Sequence, residues 1–292
     1  MSESIYFIEF KSSDRLTSVK ELVEPELIKA KIPQAQRKYD NWAIYSNDRL
    51  VTSWSKKIRP RSKMLVVNKK ADLPEINIAF DSKELIVLDK PSNLPTQKTL
   101  KSFEDNLYDQ VRFYYLKQKS FPQGIPYVGL HHRLDRGTSG LVLMTKQRSA
   151  NKDVADLFKN RKIIKEYVAY TEFGSKPPNK KWTQSDNIKR GTTKKHKFFF
   201  HVDEEGDTAV SQFEVLESKE GSWHKLMCRP KTGRTHQLRV HLRHKGYPIL
   251  GDAVYGKKKS ANRLMLHAQS LFFKFRDQNI EVHSEPNWPT PK

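Results

Sequence analysis

The 292-residue chain has a single cysteine, Cys228. One thiol excludes an intrachain disulfide and any zinc site built on several cysteines. No stretch approaches the roughly 18 consecutive apolar residues of a membrane span, so no membrane partner is expected. The opening MSESIYFIEF has neither the basic start nor the long apolar core of a secretory signal, and a cytoplasmic protein is the expectation. Glycine is scarce, and no Gly-rich phosphate loop of either common type occurs, which argues against nucleotide hydrolysis. Acids are also in short supply. Lys and Arg total 54 against 33 Asp and Glu, a net charge of +21, and such a surplus speaks of association with nucleic acid or another polyanion.

What is present divides at 68–78, NKKADLPEINI, a charged stretch containing proline. Residues 1–70 read as a small basic α/β module, with helical spacing over 16–30, a hairpin turn at Asn47-Asp48 and a basic run, KKIRPRSK. Residues 79–292 read as an α+β body. ELIVLDKP (84–91) and Leu141–Met144 are short buried strands, and Ser102–Asp105 opens a helix with a capping-box pattern. A further helix carries Val154, Leu157 and Phe158 inward. EYVAYTEF (166–173) alternates, and FEVLES (213–218) pairs with WHKLMC (223–228) through a turn at 219–222. Strands outnumber helices and hairpins are local, which predicts a mixed, largely antiparallel sheet with flanking helices.

Two blocks carry chemistry. HRLDRGTSGLVLMTK (132–146) sets one acid, Asp135, between Arg133 and Arg136 ahead of an apolar strand. Nearby cations favour the charged form of an acid, so Asp135 is available as a nucleophile or base beside something polyanionic; the plainer alternative is a turn-capping aspartate. PKTGRTHQLRVHLRHKGYPILGD (230–252) predicts a short helix over 236–245, with Thr235 as N-cap, Gly246 just past its end and Pro248 forbidding continuation. Leu238, Val240 and Leu242 also alternate like a strand. On a helix, Arg239 lies away from Leu238 and Leu242. If buried it needs a carboxylate, for which Asp135 is the natural candidate; the alternative is that Arg234, Arg239 and Arg243 form a solvated basic face that holds phosphates, and both uses are expected, by different arginines. Histidines 131, 132, 236, 241 and 244 form no HExxH pair and sit among cations, so no metal is expected. Ser139 lacks the GxSxG elbow of a hydrolase nucleophile. Tyr167, early in an alternating strand, is either ordinary cross-strand packing or, facing the Asp135 loop, a platform for an unstacked base.

These blocks together resemble the RluA-type family of pseudouridine synthases, which isomerise uridine in RNA. The likeness covers about 79–289 in five pieces that follow the family's order. LDKPSNLPT (88–96) is similar to the opening KPxGLxVH element, with departures at Asn93 and Pro95-Thr96; HRLDRGTSGLVLMTK is similar to the catalytic loop. IIKEYVAYTEFG (163–174) resembles the K-x-Y element, PKTGRTHQLRVHLRHKGYPILGD the third motif, and RLMLHAQSLFF (263–273) the closing strand. The resemblance implies a pseudouridine synthase fold with a catalytic cleft and a cofactor-free isomerase. In it Asp135 acts at the ribose, on C1′ as nucleophile or at C2′ as base, Tyr167 stacks on the flipped uracil and Arg239 pairs with Asp135. Arg133 takes the place vacated by the base or holds the RNA backbone. The wider expected site adds Arg136, Arg234, His236, Lys90 and Lys165 on the RNA, and Leu134 and Leu266 in the pocket wall. The partner implied is ribosomal or transfer RNA, bound by a monomer.

Residues 32–67 resemble the second helix, turn and hairpin of the αL RNA-binding module that often precedes this domain, the alternative being a helical cap packed on the sheet. The basic stretch 176–201 holds seven lysines and one arginine. It reads equally as a solvated loop or as an RNA-contacting insertion using Trp182 and Phe198–Phe200. Two other function classes compete with the isomerase. A silent RNA-binding factor on the same scaffold has no need of Asp135, Tyr167 and Arg239 together, and a glycosidase needs a second carboxylate that the loop lacks.

Overall fold

Alternation of apolar side chains along three neighbouring strands builds the first of two units in the computed structural model, which describes residues 7–72, 74–98, 106–173, 179–192, 199–257 and 261–291. This unit comprises the residues up to Ile76 together with Gln97–Val128. Its elements are β1 (Phe7–Lys11), β2 (Thr17–Ser18), α1 (Val19–Lys29), β3 (Trp42–Ser46), β4 (Arg49–Val51), β5 (Lys57–Ile58), β6 (Lys63–Asn68) and α2 (Leu107–Gln118). The main sheet runs β1-β6-β3-β4, all antiparallel, and β2 pairs with β5. Ile8, Ile44, Met64 and Val66 face α1, which supplies Val19, Leu22, Val23 and Leu27. Phe7, Tyr45, Leu65 and Val67 face α2, which supplies Phe113 and Leu116. Successive strand residues point to opposite faces, so a sheet covered on both sides needs apolar residues at every position. That is what KMLVVN and WAIYS provide.

The predicted hairpin forms at Asn47 and Asp48, both at positive φ (47° and 65°), a conformation these residues tolerate. Two expectations for this region are corrected. The helix that the resemblance over 32–67 implies is reduced to single 3₁₀ turns at Gln34–Gln36 and Tyr39–Asn41, because Trp42 onward is drawn into the sheet with Trp42, Ile44 and Tyr45 buried. The body does not continue unbroken from 79 either. Residues 97–128 group with the first unit, since Phe113 and Leu116 complete its core. The expected capping box at Ser102–Asp105 lies outside the described residues; the helix begins after Asn106, whose side chain accepts from the Asp109 N–H at 3.0 Å.

The second unit comprises Asn77–Thr96 and Gly129–Lys292. It holds β7 (Asn77–Asp81), β8 (Leu85–Lys90), β9 (Gly129–Leu130), β10 (Ser139–Thr145), α3 (Asn151–Lys159) and β11 (Ile164–Glu172). Then follow β12 (Lys181–Gly191), β13 (Phe199–Val202), β14 (Asp207–Lys219), β15 (Trp223–Pro230), α4 (Gln237–His244), β16 (Leu266–Phe275) and β17 (Gln278–His283). The sheet order is β13-β12-β14-β15-β11-β16-β10-β8-β7, with β17 on β16 and β9 on β10. Among the described residues only β10 and β16 pair in parallel, through Ser139↔His267 and Gly140↔Ala268. The mixed, mostly antiparallel α+β architecture is therefore the one the sequence predicts.

Helices α3 and α4 serve different cores. Val154 of α3 packs with Leu85, Leu141 and Leu271, whereas Leu238 and Leu242 of α4 pack with Ala169, Leu226 and Leu266. The apparent strand period of Leu238, Val240 and Leu242 resolves into two helix faces, because Val240 packs instead on Tyr255 and Ile188. Gly246, at φ 91°, ends α4. The Tyr247 N–H donates to the Leu242 carbonyl at 2.8 Å and the Gly246 N–H to the Arg243 carbonyl at 3.1 Å, a Schellman closure that satisfies the last carbonyls.

The basic stretch at 176–201 is not a free loop where it is described. Residues 179–192 and 199–201 give β12 and the start of β13, which pair antiparallel, while 174–178 and 193–198 lie outside the described residues. Trp182 stacks on Phe213 with ring centroids 5.0 Å apart, so its face is committed to the core. Phe198 lies outside the described residues. Phe199 packs against Tyr255, centroids 5.5 Å apart.

Candidate active site

The register of three strands brings Tyr167 into line with the end of the Asp135 loop. Tyr167 on β11 pairs with Ala268 on β16, and Ala268 pairs with Gly140 on β10. Directly paired residues share a face, so the row beside the Tyr167 ring carries a methyl group and no side chain at all. Gly140 is required there: its φ is 112°, and a Cβ would lie 2.3 Å from the Ala268 carbonyl oxygen. The loop holding Asp135 ends at this glycine.

That loop is gripped by the 90–96 segment. Lys90 is wholly buried, and its Nζ donates to the carbonyls of Pro91 (2.9 Å), Leu94 (2.8 Å) and Arg136 (3.2 Å). Burial pushes its ammonium down to about 7, against the attraction of Asp135. Lys90 was expected on the RNA; with three carbonyls around a buried Nζ it is instead a tie between two loops. Thr96 is also buried. Its Oγ accepts from the Leu134 N–H (3.1 Å) and donates to the Leu134 carbonyl (2.9 Å). Ser92 donates to the Gly137 carbonyl at 2.7 Å. Asn93, where the family element has glycine, sits at φ 66°, a conformation asparagine reaches more readily than most side chains.

From the other side, α4 delivers Arg239. Its Nη1 donates to Asp135 Oδ2 at 2.9 Å, while Nε and Nη2 form a fork on Asp252 at 2.8 and 2.9 Å. Burial works against the guanidinium charge, but Asp252 and Asp135 more than offset it and raise Arg239 above its ordinary value. Asp252 in turn accepts from the Val254 and Tyr255 N–H groups at 3.0 and 3.1 Å. Burial would raise its carboxyl; Arg239 and these amides hold it below the usual range. Asp252 escaped the sequence reading although it lies in the motif; the signal was the Gly-Asp pair after the helix. Gly251 is at φ 72° with a Cβ position 1.8 Å from the Arg263 carbonyl oxygen, so this turn admits only glycine and fixes the residue that follows.

The remaining expected residues scatter around this centre. The Asp135 side chain is about one quarter exposed. Tyr167 is half-buried, and burial with the nearby Asp135 charge pushes its phenol up. Leu134 and Leu266 are buried. Arg133 and Arg136 are exposed, with Arg136 Nε donating to the Asn93 carbonyl at 3.1 Å. Arg234 donates to the Thr208 carbonyl at 3.1 Å and lies 3.6 Å from Asp207. Lys165 is half-buried, and burial lowers its ammonium. His236, not Thr235, is the N-cap of α4, held at φ 56°. Its Nε2 stands 3.7 Å from Asp135 Oδ2.

The site therefore holds a partly exposed acid paired with a buried arginine, with Arg133 and Arg136 exposed on its loop. The sequence model of the RNA pseudouridylate synthase family matches residues 84–244, more than half of the chain. The chain belongs to this family. A relative from Haemophilus influenzae, described as an uncharacterized RNA pseudouridine synthase, is 31% identical over 214 residues, 73% of this chain and 88% of that one. Ribosomal large subunit pseudouridine synthase D of Zymomonas mobilis is 29% identical over 206 residues, 70% of this chain and 63% of its own length. The chain spans between about half and two thirds of the length of the large-subunit relatives it matches. Among solved structures, human RNA pseudouridylate synthase domain containing 1 aligns with a TM-score of 0.59 at 25% identity, covering 74% of this chain and 85% of that one. Family membership thus rests on sequence and fold together.

Proposed function

We propose that this protein is an RNA pseudouridine synthase that isomerises uridine in ribosomal RNA, with Asp135 as its catalytic residue. The observation that carries this reading is the Asp135–Arg239–Asp252 chain. It presents one partly exposed carboxylate, held by a buried guanidinium that is itself anchored on Asp252. Isomerisation breaks the N1–C1′ bond of uridine, turns the base and joins C5 to C1′, with the C5 proton lost and N1 protonated. None of these steps requires an oxidant or a second substrate. Asp135 acts at the ribose, on C1′ as nucleophile or at C2′ as base. Arg239 orients it.

Chemistry on a base inside a helix requires the nucleotide to leave the stack, at a cost of a few kcal/mol. Tyr167 beside the small residues Ala268 and Gly140 offers a stacking surface for the extruded uracil, and the buried Leu134 and Leu266 make the apolar wall that excludes water. Arg133 and Arg136, exposed next to Asp135, hold the opened backbone. The first unit, with its KKIRPRSK run, adds affinity for the same RNA. Ribosomal RNA is favoured over transfer RNA by the relatives named for the large subunit.

The test is incubation of the full chain with unmodified large-subunit ribosomal RNA and transfer RNA transcripts, followed by mapping of pseudouridine. Product at discrete positions in the ribosomal transcript is expected. Tight binding with no product in any RNA would overturn the assignment.

A further inference from the structure

A second arm reaches the same Asp135 oxygen as Arg239, from the N-cap residue of the same helix, and it is held by the end of the basic stretch. The Phe200 N–H, on β13, donates to Tyr255 Oη at 3.0 Å. A peptide nitrogen has one proton and no acceptor capacity, so the phenolic proton is free to go elsewhere. Tyr255 Oη is 2.9 Å from His236 Nδ1, where that proton finds an acceptor. A neutral imidazole that accepts at Nδ1 carries its own proton on Nε2, and Nε2 is the atom 3.7 Å from Asp135 Oδ2.

We propose that Tyr255 is a positioning residue for the isomerisation: through its hydroxyl it fixes His236 with Nε2–H aimed at the Asp135 carboxylate, a second donor that closes on Asp135 when substrate is bound. This rests on the function proposed above. Apo contacts of this kind are often long and tighten in the reactive complex.

Three further observations support the assignment. His236 is held at φ 56°, a left-handed conformation that persists where surrounding contacts over-determine it, often at functional sites. The Phe200 ring meets the His236 ring edge-on with centroids 5.4 Å apart, and Tyr255 does the same at 5.6 Å, so the imidazole plane is clamped. The amide of Tyr255 donates to Asp252, the residue that also fixes Arg239. Both arms therefore grow from one buried carboxylate. The charged groups around His236 are Asp135, Arg239 and Asp252; burial lowers the imidazole below its ordinary range, with Asp135 acting the other way.

The experiment is a double-mutant cycle on the full chain with an RNA that the native protein modifies. Tyr255→Phe keeps the ring, which lies 5.0 Å from the Arg239 guanidinium, and removes only the hydroxyl. His236→Asn keeps a residue that tolerates the left-handed backbone. Each single variant is expected to lower kcat about tenfold with KM for RNA nearly unchanged, and the double variant to fall no further. Tyr255→Phe should also move the acid limb of the kcat profile to higher pH, because the lost donor no longer favours neutral His236; His236→Asn should remove that shift. Native kcat in Tyr255→Phe, or losses that multiply in the double variant, would overturn the proposal. Nitrogen NMR of the native imidazole supplies an independent check, and an Nδ1-protonated neutral His236 overturns it whether or not any variant folds. An inactive native chain counts against the proposed function instead, and leaves the NMR result to judge the arrangement.

Discussion

Arg239 holds two carboxylates with one guanidinium, and that division of labour decides what each acid is for. Asp252 is fully buried and takes the two-pronged contact, whereas Asp135 takes a single bond and keeps part of its surface open. Asp252 is therefore placed as the anchor, and Asp135 keeps the open surface that its proposed catalytic role requires. Losing one partner of a buried ion pair leaves an uncompensated charge, at a typical cost of about 3 kcal/mol. Asp252→Asn is expected to lose about that much stability in denaturant unfolding; a variant as stable as the native chain contradicts the anchor role. A second test concerns His132, whose Nε2 accepts from the Leu143 N–H at 2.9 Å. Burial pushes this imidazole down to about 3, with Lys165 and His131 adding to the effect. Between its ordinary value near 6.5 and about 3, the unfolded chain binds a proton that the folded chain refuses. Stability must then fall as pH drops through this window. His132→Gln keeps an acceptor and removes the titration, so its stability should fall less steeply there. An unchanged slope in acid unfolding rules out His132 as a source of the loss.

At the scale of elements, the site is a product of close approach between strands. Gly140 lets β10 and β16 meet in parallel just after the Asp135 loop, with no room for a Cβ. Gly140→Ala needs both a forbidden backbone conformation and movement of the β16 backbone. It is expected to cost more than about 3 kcal/mol; near-native melting would mean that the strands part more easily than their register implies. Much of this level was legible in the sequence. Buried runs such as LIVLDK and LVLM mark strands by composition, α4 declares its end through Gly246 and Pro248, and Asp135 and Arg239 belong to the two densest motifs. What was not legible is contact at a distance. Lys90 looks like any basic residue near a loop, yet three carbonyls surround it. Nothing near Phe200 or Tyr255 in sequence says that one donates to the other. Helical spacing likewise could not show that 97–128 completes the core of the first unit, since Phe113 finds its partners Phe7 and Leu65 far away along the chain.

For the whole molecule, a net charge of +21 sets the context in which one carboxylate can be decisive. Affinity for a phosphate chain is supplied many times over by lysine and arginine, so removing the charge of Asp135 should leave RNA binding nearly intact while removing the chemistry. None of the described helices is long and apolar enough to cross a membrane. The measurement that bears most directly on the account is pseudouridine formation by the native chain and by Asp135→Asn, side by side on one ribosomal RNA, with affinity measured on the same samples. The account predicts product from the native chain, none from Asp135→Asn, and similar affinities. Equal product from both would contradict it.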